Sequence, residues 1–277
     1  FFTCTYSGKA SNKDSNQYGY VLILNSYNES SPWSNSLTAP IMHKMAEIKE
    51  IDAYIEHLNL LMVNDSIMAS KFPQLLLKKY GKVPPRLLIM LGSMSMVFRE
   101  EVKEIWGDVP ILVCGSDPYV YAEEYYRKQD TATPKEKIYV DSLRDDYNIT
   151  FMHTPAYLEE SVKLMLHMIP NMKRLIFLGD GIYPNPEYNK QLQDIVNQKF
   201  PFLQYQFISS YNYTLPELYD ALRNADKETG ILTSTWFTET LTSKKMLINA
   251  YRSLSSIAAP LFSIRYAGMD DGGMVGG

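Results

Sequence analysis

The sequence predicts an α/β protein made of two successive units, each with a mostly parallel sheet covered by helices. Three observations lead to this prediction. Short apolar runs of strand length alternate with helical patterns along the chain, the second half repeats the plan of the first, and helix-start signals stand between the runs. A chain of 277 residues, 45% of them hydrophobic, is long enough for two lobes with cores of their own.

In the first unit, continuous apolar runs suit strands that helices cover on both faces, and an alternating run predicts a more exposed strand. The continuous runs cover residues 20–24, 86–91 and 110–114, and the alternating run covers residues 52–58. A first helix carries an apolar face and, because of Pro40, is expected to start only shortly before that residue. The apolar face consists of Leu37, Ile41, Met45 and Ile48. A second helix is expected over about residues 66–80.

The second unit follows the same plan. Its predicted strands cover residues 174–178, 204–208, 230–234 and 260–264. Helix starts are indicated by Thr154 before Pro155, by Asn185 before Pro186, and by a capping box that begins at Thr214. Apolar residues at positions 158, 162, 165 and 169 predict an amphipathic helix lying on the sheet. The polar stretch 125–137 is expected to join the units, with a strand over residues 138–140.

These elements predict a first lobe over residues 18–140 and a second lobe over residues 141–268. Residues 1–17 fit either the remnant of a secretory signal or a disordered leader. Cys4 lacks the small residues expected just upstream of a lipid-attachment cysteine, so its lipidation stays open. Cys114 lies in an apolar strand pattern and is expected to be a small buried side chain.

Several function classes are disfavoured. The 27 Lys plus Arg residues against 31 Asp plus Glu leave a net charge of -4 and no basic field for nucleic acid. The four histidines have no i, i+4 pair that would place two metal ligands on one helix face. Phosphate-binding glycine loops and the nucleophile elbow are missing from the sequence. We therefore expect no metal, no cofactor and no enzymatic activity in this chain.

Ligands of open parallel sheets bind beyond the carboxyl ends of the strands. The residues that follow the predicted strands are rich in hydroxyls, amides and aromatic rings, which suits hydrogen bonding and stacking with a small polar ligand. The candidate ligand-binding residues are Ser26, Tyr27, Trp33, Gly92, Ser93, Ser116 and Asp117 in the first unit, and Asp180, Tyr183, Ser210, Tyr211, Trp236, Arg265 and Tyr266 in the second. The alternative is that such residues merely cap helices and form turns.

Four of these residues receive specific roles. Trp33 has no obvious helical stripe to join, so it is either a stacking platform at the site or a lid over the core of the first lobe. Trp236 is expected to form the opposite jaw. Asp180 and Arg265 are expected to hold the polar groups of the ligand through charge-assisted hydrogen bonds.

Several of these landmarks together resemble a known family. Residues 21–27 followed by Pro32 and Trp33, then residues 116–118, 148–150 and 168–175, resemble the periplasmic sensor domains of Bacteroides-type hybrid two-component histidine kinases. That family is similar to the substrate-binding proteins of ABC transporters. The resemblance covers residues 20–277, although Phe151 stands where the family usually has glycine.

The resemblance implies a type I periplasmic-binding-protein fold, with two Rossmann-like lobes and a ligand cleft between them. It also implies that residues 269–277 begin a return crossing and that the chain is truncated there. The expected function is that of a periplasmic sensor domain, which would pass lobe closure to an attached membrane segment and kinase and would work as a homodimer. The alternatives are a free receptor of an ABC-type transporter and, less favoured, an α/β enzyme.

Overall fold

The computed structural model describes residues 19–60, 66–116, 118–121, 137–181, 184–236, 238–239, 244–245, 254, 257–264 and 275. In this part of the chain the strands are β1 (Gly19–Asn25), β2 (Ile51–His57), β3 (Leu87–Leu91), β4 (Ile111–Ser116), β5 (Tyr119–Tyr121), β6 (Lys137–Tyr139), β7 (Ile149–His153), β8 (Arg174–Gly179), β9 (Gln204–Ser209), β10 (Thr229–Thr233), β11 (Thr238–Glu239), β12 (Lys244–Lys245) and β13 (Leu261–Ser263). The α-helices are α1 (Pro32–Ala46), α2 (Ser66–Tyr80), α3 (Arg99–Trp106), α4 (Leu158–Met168), α5 (Asn185–Lys199) and α6 (Leu215–Leu222).

The strands form two parallel sheets, as the sequence predicts. The first sheet has the order β2-β1-β3-β4-β7 and the second has the order β13-β10-β8-β9. Strands β5 and β6 pair with each other in an antiparallel ribbon, and so do β11 and β12. The fold class is therefore confirmed: two parallel sheets with flanking helices.

Alternate residues of the central strands enter separate cores on the two faces of each sheet. In β1, Leu22 and Leu24 contribute to one core and Val21 and Ile23 to the other, where they meet helix α1. The second sheet repeats this arrangement. One of its cores includes apolar residues of α4 and α5, and the other includes those of α6. Helices thus cover both faces, which explains why these strands appear as continuous apolar runs in the sequence.

The first helix corrects the prediction based on Pro40. Helix α1 starts at Pro32, where proline fits because the first turn lacks acceptors for its N–H groups, and it continues past Pro40 to Ala46. Pro40 and Ser36, whose carbonyl would have accepted the missing N–H, are both exposed. Solvent can therefore hydrogen-bond that carbonyl, and the helix is not broken.

Two further helix starts differ from the prediction. Helix α4 begins at Leu158, so Thr154 and Pro155 lie in an irregular segment before it. Asn185 is the first residue of α5 rather than its cap, because its side chain binds elsewhere. The capping box of α6 is confirmed: the backbone N–H of Thr214 donates to Glu217, 2.7 Å away.

Strand β7 was not predicted, although its residues lie within the segment that carries the family resemblance. It pairs with β4 at the edge of the first sheet, and its burial alternates at the start, with Ile149 and Phe151 inside and Thr150 exposed. The first sheet therefore extends beyond residue 140, where the sequence-based boundary of the first lobe was drawn. We propose that the boundary lies after His153. The predicted strand at 138–140 corresponds to β6, outside both main sheets.

Candidate functional site

The chain leaving β1 is fixed to the ends of its neighbours. The backbone N–H of Ser26 donates to the carbonyl of Leu91 at 3.0 Å, and its hydroxyl donates to the carbonyl of Gly92 at 3.2 Å. Ser26 is fully buried. Of the two roles open to this serine, ligand contact or local structure, the observed hydrogen bonds support the local one.

Two aromatic rings lie against glycines at the carboxyl end of the first sheet. The rings of Tyr27 and Trp33 meet edge to face, with centroids 5.4 Å apart. A Cβ atom at Gly115 would lie 2.5 Å from the Trp33 ring, and one at Gly92 would lie 2.9 Å from the Tyr27 ring. Both glycines have positive φ, which side chains disfavour. The aromatic pair therefore depends on the absence of side chains at the ends of β3 and β4.

For Trp33 the structure shows packing on the core, one of the two alternatives, and the stacking platform stays a prediction. It lies in the first turn of α1 and packs with Leu37 and Ile41 against the core on that face of the sheet. It therefore does join a helical stripe, contrary to expectation. Because the ring is half-buried, part of it stays accessible at the strand ends.

The other predicted residues of the first unit are only partly described. Ser93 is half-buried and starts the 3₁₀ helix Ser93–Phe98 directly after Gly92. Ser116 is the last residue of β4, but its side chain lies outside the described part of the structure, as does all of Asp117. Cys114 is buried as predicted, and burial raises the pKa of its thiol, which disfavours a reactive thiolate.

A buried polar cluster lies at the end of β8 in the second sheet. Asn185 donates from Nδ2 to the Asp180 carboxylate at 2.6 Å and to the Thr235 hydroxyl at 2.9 Å. The backbone N–H of Asp180 donates to the carbonyl of Thr235 at 2.6 Å. Asp180 and Asn185 are both fully buried. The carboxylate thus ties β8, β10 and the start of α5 together. The ligand contact expected for Asp180 stays a prediction.

A third aromatic ring lies next to this cluster. A Cβ atom at Gly181 would lie 2.5 Å from the Tyr211 ring, and the backbone N–H of Gly181 donates to the Ser210 hydroxyl at 3.1 Å. The backbone N–H of Tyr211 is 3.3 Å from the Ser209 hydroxyl, which accepts from it. The ends of β8 and β9 are therefore joined by hydroxyl groups, with an aromatic ring placed over a glycine as in the first sheet.

Trp236 does not form the expected jaw. Its side chain is fully buried in the core of the second sheet with Leu178, Leu218 and other aliphatic residues. An indole enclosed in this way presents no face to a ligand. Its Nε1 atom has no hydrogen-bond partner among the described residues, and the same holds for Asn185 Oδ1 and Ser234 Oγ. Tyr183, Arg265 and Tyr266 lie outside the described residues, so their predicted roles stay untested.

The structure adds two amides to the predicted residues. Asn25 ends β1 and Asn185 starts α5, and both are completely buried. For Asn25, which follows an apolar strand, the sequence left both a ligand contact and a turn open. For Asn185, before a proline, the sequence favoured a helix cap. Among the described residues, no cluster of His, Cys, Asp or Glu is suited to a metal ion, and no helix is both long and apolar enough to cross a membrane.

Comparisons with known proteins support the fold. No family model matches the sequence, and a search of the curated proteins finds no match. A conserved domain protein from Vibrio cholerae O1 biovar El Tor has a similar structure, with a TM-score of 0.56 at 11% identity over 92% of this chain and 76% of that one.

Two binding proteins are also similar in structure. The Caulobacter myo-inositol binding protein, solved with myo-inositol bound, gives a TM-score of 0.51 at 11% identity, over 91% of this chain and 76% of its own. The periplasmic sugar binding protein of a Legionella pneumophila ABC sugar transporter gives a TM-score of 0.51 at 13% identity, over 88% and 81%. At these identities the similarity establishes the fold of periplasmic binding proteins and nothing finer.

Proposed function

We propose that this chain is an extracytoplasmic small-molecule-binding domain and that it serves as the input domain of a membrane sensor. The observation that carries the binding function is the matching construction of the two sheets. At the carboxyl ends of both, aromatic rings lie over glycines, with serine hydroxyls fixed beside them. Strand ends of parallel sheets are the usual location of ligands in such folds.

The ligand that fits this construction is a small polar molecule with hydroxyl groups, such as a sugar or polyol. Tyr27, Trp33 and Tyr211 offer aromatic faces and edges that suit the C–H faces of such rings. The bound myo-inositol of the Caulobacter protein is a compound of this class.

Calorimetry tests the binding function. The wild-type protein would be titrated with myo-inositol, common hexoses, amino acids and nucleosides. The Tyr211→Ala and Trp33→Ala variants would then be titrated with the same compounds. We expect at least one polyol or sugar to bind, and each substitution to weaken it about 10-fold or more, since hot-spot aromatic residues contribute about 1.4 kcal/mol or more. Phe202→Ala is the matched control, because Phe202 is exposed and lies at the amino end of β9.

Affinity that is unchanged in Tyr211→Ala and Trp33→Ala would show that the site lies elsewhere. If Trp33→Ala lowered stability without changing affinity, Trp33 would be a core residue alone.

The sensor role requires a signalling partner. We propose that ligand binding biases two arrangements of the domain and that an attached membrane segment and histidine kinase respond to this bias. A coding sequence that continues into a membrane span and a kinase would support the sensor. A neighbouring gene for an ABC permease, without a kinase in the reading frame, would support the transport receptor instead.

A sensor of this kind is expected to act as a homodimer. Analytical ultracentrifugation of the protein with and without the compound found by calorimetry measures its mass directly. A dimer in either condition agrees with the sensor role, and a strict monomer in both counts against it.

A further inference from the structure

The side chain of Asn25 connects two strand ends of the first sheet. It is fully buried, and both of its polar groups are used. Its Oδ1 accepts the backbone N–H of Tyr27 at 3.1 Å, and its Nδ2 lies 3.0 Å from Nδ1 of His57, the last residue of β2. A backbone hydrogen bond joins the same two strand ends, since the N–H of Leu58 donates to the carbonyl of Asn25 at 2.8 Å.

This geometry determines the protonation of His57. A backbone N–H can only donate, so the atom of Asn25 that faces Tyr27 must be the oxygen. The amide nitrogen, a donor, then faces His57, and Nδ1 of that ring must accept. The arrangement therefore requires a neutral imidazole with its proton on Nε2. A protonated ring carries N–H groups on both nitrogens and would place two donors against each other at this contact.

We infer that Asn25 is a positioning residue of the binding site, and that it can hold Tyr27 and His57 at the same time only while His57 is neutral. Once His57 is protonated, the Asn25 amide can turn to offer its oxygen to the ring, but its NH₂ group then faces the N–H of Tyr27. One of the two contacts is lost in either orientation. Because the Tyr27 ring lies against Gly92 and Trp33, a shift of Tyr27 disturbs the aromatic pair. The relevance to ligand binding rests on the proposed function.

The charged group that interacts with His57 in the described residues is Glu56. On its own strand, the neighbouring Glu56 carboxylate interacts with it electrostatically, while Lys79 and Tyr80 of α2 hydrogen-bond that carboxylate. From β1 the facing group is the uncharged Asn25. Helix α1 packs on the same face of the sheet as Ile55, and its last turn carries the basic residues His43 and Lys44.

Nuclear magnetic resonance tests the inference without any ligand. Long-range proton–nitrogen spectra of the ¹⁵N-labelled protein at pH 8 report the tautomer of His57, and the expected form carries the proton on Nε2. On titration to pH 5, the Tyr27 amide and the Trp33 indole resonances should move with the same midpoint as the His57 ring. Trp33→Phe assigns the indole resonance.

Two variants separate positioning from simple packing. In His57→Gln the side-chain oxygen can accept from Asn25 at every pH, so the Tyr27 resonance should no longer titrate. In Asn25→Asp the carboxylate accepts from Tyr27 and also pairs with a protonated ring, so the midpoint of His57 should rise by about one pH unit or more. The Tyr27 amide should then stay fixed down to pH 5. His167→Gln, an exposed histidine of α4, is the control and should leave the Tyr27 titration unchanged.

A His57 ring protonated on Nδ1 at pH 8 would overturn the inference. So would a Tyr27 amide that does not move with the His57 titration, or one that still titrates in His57→Gln. Because none of these measurements uses a bound molecule, a failure of the proposed binding function cannot produce these results.

Discussion

At the scale of single residues, the candidate site depends on glycines that admit aromatic rings. Gly92 and Gly115 have positive φ, and the rings of Tyr27 and Trp33 occupy the space that their side chains would fill. The same contact recurs at Gly181 and Tyr211 in the second sheet. These glycines thus set the positions of the aromatic rings.

Gly115→Ala tests this dependence. The substitution adds strain at positive φ, about 1–3 kcal/mol, and forces the Trp33 ring to move, which we expect to add another 1–3 kcal/mol or so. Gly107→Ala is the matched control, because Gly107 also has positive φ but has nothing within 4 Å of the added Cβ. Urea denaturation of both variants measures the difference. Equal losses of stability would mean that the Trp33 contact does not constrain position 115.

At the scale of elements, periodicity predicted the strands well and the helix starts less well. Continuous apolar runs located β1, β3 and β4, because burial on both faces leaves little room for polar residues. The strands of the second sheet were also located, although β9 is exposed or half-buried over its first four residues. Pro40 misled the prediction of α1, since a proline is tolerated where the freed carbonyl is exposed. Strand β7 was missed because five residues at a sheet edge carry only two clearly buried positions.

The site was less predictable than the fold for a related reason. Sequence order showed that Asp180 and Trp236 follow strands, but it could not show that both would be completely buried. The contacts of Asn25 with His57 and of Asn185 with Asp180 join residues 32 and 5 positions apart through side-chain geometry. Such pairings depend on the register between elements, which local patterns do not encode.

The contact between β2 and α2 gives a prediction about pH. Partial burial opposes ionisation of Glu56, but hydrogen bonds from Lys79 and Tyr80 outweigh it and lower the pKa of Glu56 below its ordinary 4.5. A carboxyl with a lowered pKa in the folded state stabilises the protein above its unfolded pKa, and this contribution is lost as the pH falls through the folded pKa. Glu56→Gln should therefore lower the free energy of unfolding by about 1 kcal/mol at pH 7 and by less near pH 3.

Urea denaturation at both pH values measures this effect. Glu47→Gln is the control, because Glu47 forms an exposed ion pair with Lys44 and should change stability by about 0.5 kcal/mol or less. A loss in Glu56→Gln that is equally large at pH 3 would show that the carboxylate charge is not responsible.

At the scale of the whole molecule, the two parallel sheets have separate cores and share one construction. Each sheet has a core on either face, and each strand-end region combines glycines, aromatic rings and buried polar side chains. This repetition is the basis for proposing one ligand that contacts both lobes, with the boundary between the lobes after His153.

Matched core substitutions test that boundary. Leu22→Ala in β1 and Leu175→Ala in β8 each remove a fully buried side chain and should each cost about 2–5 kcal/mol. If β7 belongs to the first lobe, Leu22→Ala should speed hydrogen exchange at residues 149–153 and leave residues 174–179 less affected, and Leu175→Ala should do the reverse. If Leu175→Ala instead sped hydrogen exchange at residues 149–153, the boundary would lie at residue 140.

Hydrogen exchange measured with and without the tightest-binding sugar or polyol tests the central claim most directly. If one ligand contacts the strand ends of both sheets, protection should increase at residues 25–33 and 91–93 of the first sheet and, in the same experiment, at residues 179–181 and 209–211 of the second. Protection confined to one sheet, or found away from the strand ends, would contradict the account, as would a panel in which no compound changes either region.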